Sequence, residues 1–198
     1  MDPLRYYLAL ALLVMAPPAL LTWLVLHPLA HRLRRIGPIA TYGVLSIPNL
    51  ALAVALFRSR GWLLSLEFGT QPGLIAVGVL ISGAAIVMAL QVRKQLTLGV
   101  LIGLPEIDSR HYPGELLTGG IYAWIRHPRY TEALLGMIGW SLVVNYLALY
   151  VMDALLVPIL YAVVHLEEKE LRERFGAAYE EYSRRVPRFI PRRRRDRG

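Results

Sequence analysis

Residues 131–165 read TEALLGMIGWSLVVNYLALYVMDALLVPILYAVVH, thirty-five positions of almost unbroken apolar sequence. A helix that crosses a bilayer needs about 20 mainly apolar residues, so one helix over this whole stretch would overshoot any membrane. Two spans folded into a tight hairpin fit it, with the turn near Asn145-Tyr146 or within Tyr150–Asp153. The expected fold class follows: all-α, a polytopic membrane helical bundle.

Toward the N-terminus three further segments have spanning length. Tyr6–Leu26 is interrupted by Pro17-Pro18, which should kink it, and Ile39–Phe57 by Pro48. Prolines are tolerable inside spans because neighbouring helices can satisfy the freed carbonyls. Leu74–Leu90 is rich in Gly and Ala, which allows close helix approach. The first segment lacks a basic leader beyond Arg5 and a small-x-small cleavage site before Trp23, so it reads as a retained span rather than a signal peptide. Between the second and third spans, Arg58 to Gly73 forms a loop with Trp62 and Phe68 as interface anchors. Five spans are expected in all.

Residues 95–120 are broken by Gly99, Gly103, Pro105, Pro113, Gly114 and Gly119-Gly120 and read as a loop with short helical pieces. Past the hairpin, Leu171, Phe175, Ala178, Tyr179, Tyr182 and Val186 recur at steps of three and four, while Glu168/Arg172 and Glu170/Arg174 stand at i, i+4. This predicts an amphipathic helix over 166–190, weakened at Gly176 by about 1 kcal/mol relative to Ala. Arg192–Arg195 and Arg197 end the chain as a basic tail. The whole is one membrane domain, 1–198, with three spans in 1–92, a loop at 93–130, the hairpin, the amphipathic helix and the tail at 191–198.

Composition fits this class. Of 198 residues 56% are hydrophobic and 18% charged, and mean hydropathy is +0.44. The net charge of +8 is clustered: the loop at 31–35, the stretch 93–129 and the tail 169–197 carry nineteen of the twenty-two Lys and Arg. Beside apolar spans such clusters mark cytoplasmic ends and contact with anionic lipid rather than nucleic acid. Alternation over five spans places all three on one side, with an outside N-terminus and a cytoplasmic C-terminus. Arg58 and Arg60 fall on the other side. The absence of cysteine excludes disulfides and thiolate chemistry.

Ionisable groups at membrane depth are costly and mark a site by default. Two polar clusters flank the hairpin: Arg126-His127-Pro128-Arg129-Tyr130 before it and Glu167-Glu168 after it. Pro128 fits the first turn of a helix, which leaves His127 just outside with its ring free to face a ligand or simply to cap. Glu168 is expected to pair with Arg172 one turn ahead and to be dispensable for ligand binding. Glu167 falls on the inward side between Val163 and Leu171 and offers charge-assisted hydrogen bonds to a cationic or hydroxyl-bearing ligand. Tyr122 and Trp124 either stack on a planar ring or anchor the interface. Asp153 should be solvated at the outer end of the hairpin, and His27, His31 and His111 read as interfacial. No metal-ligand spacing and no Gly-rich dinucleotide loop is present.

At these residues the chain resembles the isoprenylcysteine carboxyl methyltransferase family, within the broader group of small integral-membrane methyltransferases that includes phospholipid N-methyltransferases. The matching pieces are Leu116-Leu117-Thr118-Gly119-Gly120-Ile121-Tyr122, then Arg126-His127-Pro128-Arg129-Tyr130, then Glu167-Glu168. Phe175-Gly176-x-x-Tyr179-x-x-Tyr182-x-x-x-Val186-Pro187 completes them. They cover residues 114–191, and their order makes the match more specific than any one piece.

The resemblance implies S-adenosylmethionine as methyl donor, bound at the cytoplasmic end of the bundle. It implies that Leu116, Leu117 and Tyr122 line the donor, that His127, Pro128 and Tyr130 contact it, with Arg129 at the motif's variable position, and that Glu167 holds a polar group. The acceptor would be a lipophilic or membrane-embedded molecule entering sideways between spans. Where the eukaryotic prenylcysteine enzymes carry an arginine four residues before the matching glutamate, this chain has Val163. That counts against prenylcysteine and leaves a simpler lipid, isoprenoid, thiol or amine open. Two other readings are an NADPH-dependent membrane reductase of the sterol type, with a similar Arg-His-Pro and Tyr-x-x-Tyr layout, and a non-enzymatic scaffold.

Overall fold

In hydrocarbon every backbone N–H and C=O must be satisfied within its own segment, and the apolar stretches accordingly fold as helices. The computed structural model describes residues 2–33, 35–96 and 115–191, without the side chains of residues 27, 28, 30 and 31. Expectations for residues 97–114 of the 93–130 loop, for the His27, His31 and His111 side chains and for the basic tail lie outside those residues. Among the described residues the helices are α1 (Pro3–Leu33), α2 (Gly37–Arg58), a short α3 (Arg60–Leu63), α4 (Pro72–Arg93), α5 (Pro128–Val144), α6 (Leu147–Phe175) and α7 (Ala177–Arg185). A 3₁₀ turn, Gly120–Ala123, precedes α5.

Four of these, α1, α2, α4 and α6, are long and apolar enough to cross a membrane. The first arm of the hairpin, α5, has 17 residues, at the short limit for a span. The expectation of five spans thus becomes four helices of full length and a shorter fifth element packed between them. Large apolar side chains point outward, Ile47, Leu50 and Val54 on α2 and Leu80, Ile86 and Leu90 on α4 among them. A water-soluble bundle would bury such residues; a lipid-facing one has no reason to.

The hairpin turns at Asn145, which adopts the left-handed conformation (φ 58°) and caps α5. Asn tolerates that region better than other non-glycine residues, which favours this of the two expected turns. The turn is pinned from outside. Arg5 is buried and its guanidinium donates to Val144 O at 2.7 Å, to Glu67 Oε1 at 2.8 Å and to Thr70 Oγ1 at 2.9 Å. One buried side chain therefore ties the start of α1 to the hairpin and to the 66–70 strap.

Inside the bundle α4 and α5 meet through small residues. A Cβ on Gly139 would lie 2.8 Å from both Gly78 O and Ser82 N, and one on Gly78 would lie 2.6 Å from Gly139 O. Only glycine lets these backbones touch. Two expectations change here. The first helix runs past its expected end at Leu26 to Leu33, with Pro17-Pro18 inside it as expected. The helix expected over 166–190 is two pieces: α6 runs on to Phe175, and Gly176 at φ 53° starts α7 in a new direction. Asp153 is also corrected, because it is buried (8% exposed) within α6 instead of solvated.

Candidate functional site

The polar site forms where α5 begins, opposite the Arg5 end. Pro128 occupies the first turn of α5 and His127 is its N-cap, as Pro at this position leads one to expect. The residues before it pair with the C-terminal segment: Arg126 N–H donates to Pro187 O at 2.8 Å and His127 N–H to Arg188 O at 3.0 Å. Tyr182 Oη donates to Tyr122 O at 2.7 Å, which holds the 120–123 turn against α7. Three segments far apart in sequence are thereby fixed around the last turns of α6.

Glu168 is the centre of this assembly. It is completely buried. Its carboxylate accepts from Arg126 Nη2 at 2.7 Å, from Arg188 Nη2 at 2.8 Å and Nε at 3.0 Å, and from Arg172 Nη2 at 3.2 Å. His127 Nε2 lies 3.2 Å from the same group. The expected i, i+4 pair with Arg172 exists, yet Arg126, Arg188 and His127 contact the same carboxylate. Charge-assisted bonds of this kind, bidentate for Arg188, are the strong ones. Glu168 organises the site through these contacts, which extend its expected role as the ion-pair partner of Arg172.

Glu167 differs although it is the adjacent residue. Its side chain is 26% exposed and Oε2 stands 3.5 Å from His127 Nδ1. The imidazole is therefore bracketed by two carboxylates, with Tyr130 and Phe189 rings at 5.9 and 6.0 Å. Burial disfavours its charge, but hydrogen bonding to Glu167 and Glu168 outweighs that, and its pKa is raised above the ordinary value. The Tyr122 hydroxyl is likewise pushed well up, by burial first and then by the nearby charge of Glu167. Glu167, His127 and Tyr122 thus share one electrostatic environment. Tyr179 joins it: it is 1% exposed, its hydroxyl has no hydrogen-bond partner among the described residues, and Glu168 and Glu167 both raise its pKa after burial.

The structure brings together His127, Pro128, Tyr130 and Glu167, with Tyr122 alongside. Leu116 and Leu117 are partly buried next to the 3₁₀ turn. Arg129 points to α1, its guanidinium 4.1 Å from the centre of the Trp23 ring. Trp124 is 64% exposed and fits interfacial anchoring rather than stacking. Sequence reasoning missed Arg188, Phe189 and the role of Tyr179. Tyr179 was visible as an apolar step on a helix face and as a member of the C-terminal motif, with no role in the site attached to it, and Arg188 follows a proline outside any periodic pattern.

With this geometry in place, the phospholipid methyltransferase family matches residues 74–178, just over half of the chain, from α4 into α7. Similar curated proteins include the cobalt-zinc-cadmium resistance protein CzcN of Cupriavidus metallidurans, 38% identical over 39% of this chain and 36% of its own. The nickel-cobalt-cadmium resistance protein NccN of Alcaligenes xylosoxydans is 33% identical over 39% of this chain and 37% of its own. The protein-S-isoprenylcysteine O-methyltransferase of Schizosaccharomyces pombe is 32% identical over 38% of this chain and 33% of its own. The chain spans little more than a third of the length of these relatives. No solved structure matches it. Four apolar helices of spanning length and a match that takes in both halves of the polar site lead to one statement: this chain is an integral membrane protein that belongs to the phospholipid methyltransferase family.

Proposed function

We propose that the protein transfers a methyl group from S-adenosylmethionine to a lipophilic acceptor, at a site on the cytoplasmic face of the membrane. The observation that carries this reading is the unequal use of two adjacent carboxylates. Glu168 is consumed by three guanidinium groups and His127, while Glu167 stays at the edge of the site with water access. A partly exposed carboxylate beside buried tyrosine hydroxyls suits a cationic, hydroxyl-rich nucleoside. The buried Tyr179 hydroxyl is the kind of unsatisfied donor that such a ligand completes.

When bound, S-adenosylmethionine supplies a methyl group activated by its sulfonium leaving group. The residues of this chain position and exclude. Glu167 and Tyr179 accept from and donate to the polar groups of the ligand, while Leu116, Leu117 and Tyr122 line its flat parts. His127, held between Glu167 and Glu168, keeps Glu167 in one orientation. Pro128, Tyr130 and Phe189 close the membrane side against water. Methyl transfer by in-line displacement gains most of its rate from such alignment and from drying the site. The orientation rests on the basic clusters, which also favour anionic lipid at that face. The sterol-type reductase reading draws no support from the family or from the relatives.

Incubation of the purified protein with methyl-labelled donor and host membrane extract tests the proposal. Label in a lipid-extractable product is the expected result. NADPH consumption without methyl incorporation would overturn it.

A further inference from the structure

Gly136 and Gly139 mark the face of α5 that meets α4, and one residue on that face is not small. Glu132 precedes Gly136 by one turn and Gly139 by two, so the three share a face. The packing sets its level. A Cβ on Gly139 would meet Gly78 and Ser82, and one on Gly136 would meet Ala85. The two helices therefore run antiparallel, and the same register puts Glu132 beside Ala89 and Pro128 beside Arg93, toward the polar site. Glu132 is partly buried there, and no hydrogen bond or direct ion pair reaches its carboxylate among the described residues. A charge left uncompensated at this depth is costly and marks a site. Two cations offset part of that cost from a distance, Arg129 one turn back on α5 and Arg93 at the end of α4. The Tyr122 hydroxyl feels the charge of Glu132 as well as that of Glu167. Tyr122 thus has a carboxylate from α6 and another from the α4-facing side of α5.

We propose that Glu132 is the general base of the methyl transfer, accepting the proton that the acceptor loses, while Glu167 serves the donor. The inference rests on the methyltransferase reading and narrows its acceptor to a nucleophile that carries a proton: an amine, an alcohol or a thiol. The lone pair of the acceptor's nitrogen, oxygen or sulfur forms the bond to the methyl carbon. As it does so the bond from that carbon to the sulfonium breaks, and its electron pair returns to sulfur. The acceptor then holds one hydrogen too many, and this proton passes to the Glu132 carboxylate. From there it leaves to water, to which a partly buried side chain retains access. A carboxylate acceptor would have no proton to give up, and its charge would stand against that of Glu132. Val163, one turn before Glu167, is buried and apolar and offers such an acceptor no counter-charge.

Three probes that differ only in their reacting group test this: hexylamine, hexanethiol and hexanoate, each offered to the full-length protein with methyl-labelled S-adenosylmethionine. Label is expected in the amine or the thiol and not in hexanoate. Glu132→Gln should lower kcat by about 10²–10⁴-fold, the range for a lost general base, with KM little changed, and Glu132→Asp should recover part of the loss. A second readout needs no turnover. With S-adenosylhomocysteine bound, hexylamine should raise the unfolding midpoint of the parent and not that of Glu132→Gln, while S-adenosylhomocysteine alone stabilises both equally. Methylation of hexanoate, an unchanged kcat in Glu132→Gln, or a parent that S-adenosylhomocysteine stabilises but that labels neither amine nor thiol would overturn the proposal. A parent that S-adenosylhomocysteine does not stabilise and that labels no probe would instead bring down the donor reading, and this inference with it.

Discussion

Glu167 and Glu168 are identical in chemistry and adjacent in sequence, and burial alone gives them different work. Removing the Glu168 charge strands Arg126, Arg188 and His127 in a buried setting. Glu168→Gln is therefore expected to cost about 3–5 kcal/mol of stability, the range for breaking a buried ion pair from one side, read as a lowered unfolding midpoint in detergent. Glu167→Gln should leave that midpoint within experimental error. Equal losses would contradict the division of roles. His127 supplies a pH test. Its folded pKa lies above its unfolded one, so the stabilisation it gives is fully present below the ordinary histidine value and disappears as pH rises through the folded value. A stability–pH profile of His127→Gln should lack that alkaline decline; an unchanged profile would show that another group titrates there. In sequence, the importance of the Arg-His-Pro and Glu-Glu clusters was legible from their position beside apolar spans. That Glu168 pairs with Arg172 was legible too, but not how many further partners it takes, because the three distant ones are brought to it only by the pairing of residues 126–127 with 187–188.

Among the helices, the hairpin was the most legible feature. Its length excluded a single span, and the turn falls at Asn145, one of the two places where the apolar run relents. Helix ends were less so, since amphipathic periodicity continues smoothly across 166–190 and does not reveal that Gly176 changes the direction of the chain. The small residues of α4 signalled close approach, but only the fold shows which partner they meet. That contact makes two neighbouring glycines on α5 behave oppositely. Gly139→Ala should destabilise by about 1–3 kcal/mol, since its new methyl would strike the backbone of α4. Gly136→Ala, where a Cβ would sit 3.8 Å from Ala85 Cβ, should be neutral or stabilising through better helix propensity. Thermal unfolding of both variants in one detergent checks the pair, and equal destabilisation would contradict the α4–α5 packing.

For the molecule as a whole, two polar assemblies stand at opposite ends of an apolar bundle: the Arg5–Glu67–Thr70 pin and the Glu168 centre. The first makes Arg5 a buried, paired cation, so its place on the side with fewer basic residues carries little topological weight. The chain has no cysteine, and single-cysteine labelling from either side of the membrane is therefore clean. Ser59→Cys should react with a membrane-impermeant thiol reagent from outside and Glu181→Cys only after permeabilisation. The reverse pattern would invert the orientation. The claim on which the function depends is that the 116–130 tract, Glu167 and Tyr179 form one pocket for a sulfonium nucleoside. Thermal unfolding with and without S-adenosylhomocysteine, on the parent protein and on Glu167→Gln, addresses it most directly. Stabilisation of the parent that is lost in Glu167→Gln, with NADPH without effect on either, is the expected outcome; an unresponsive parent, or equal stabilisation of the variant, would contradict it.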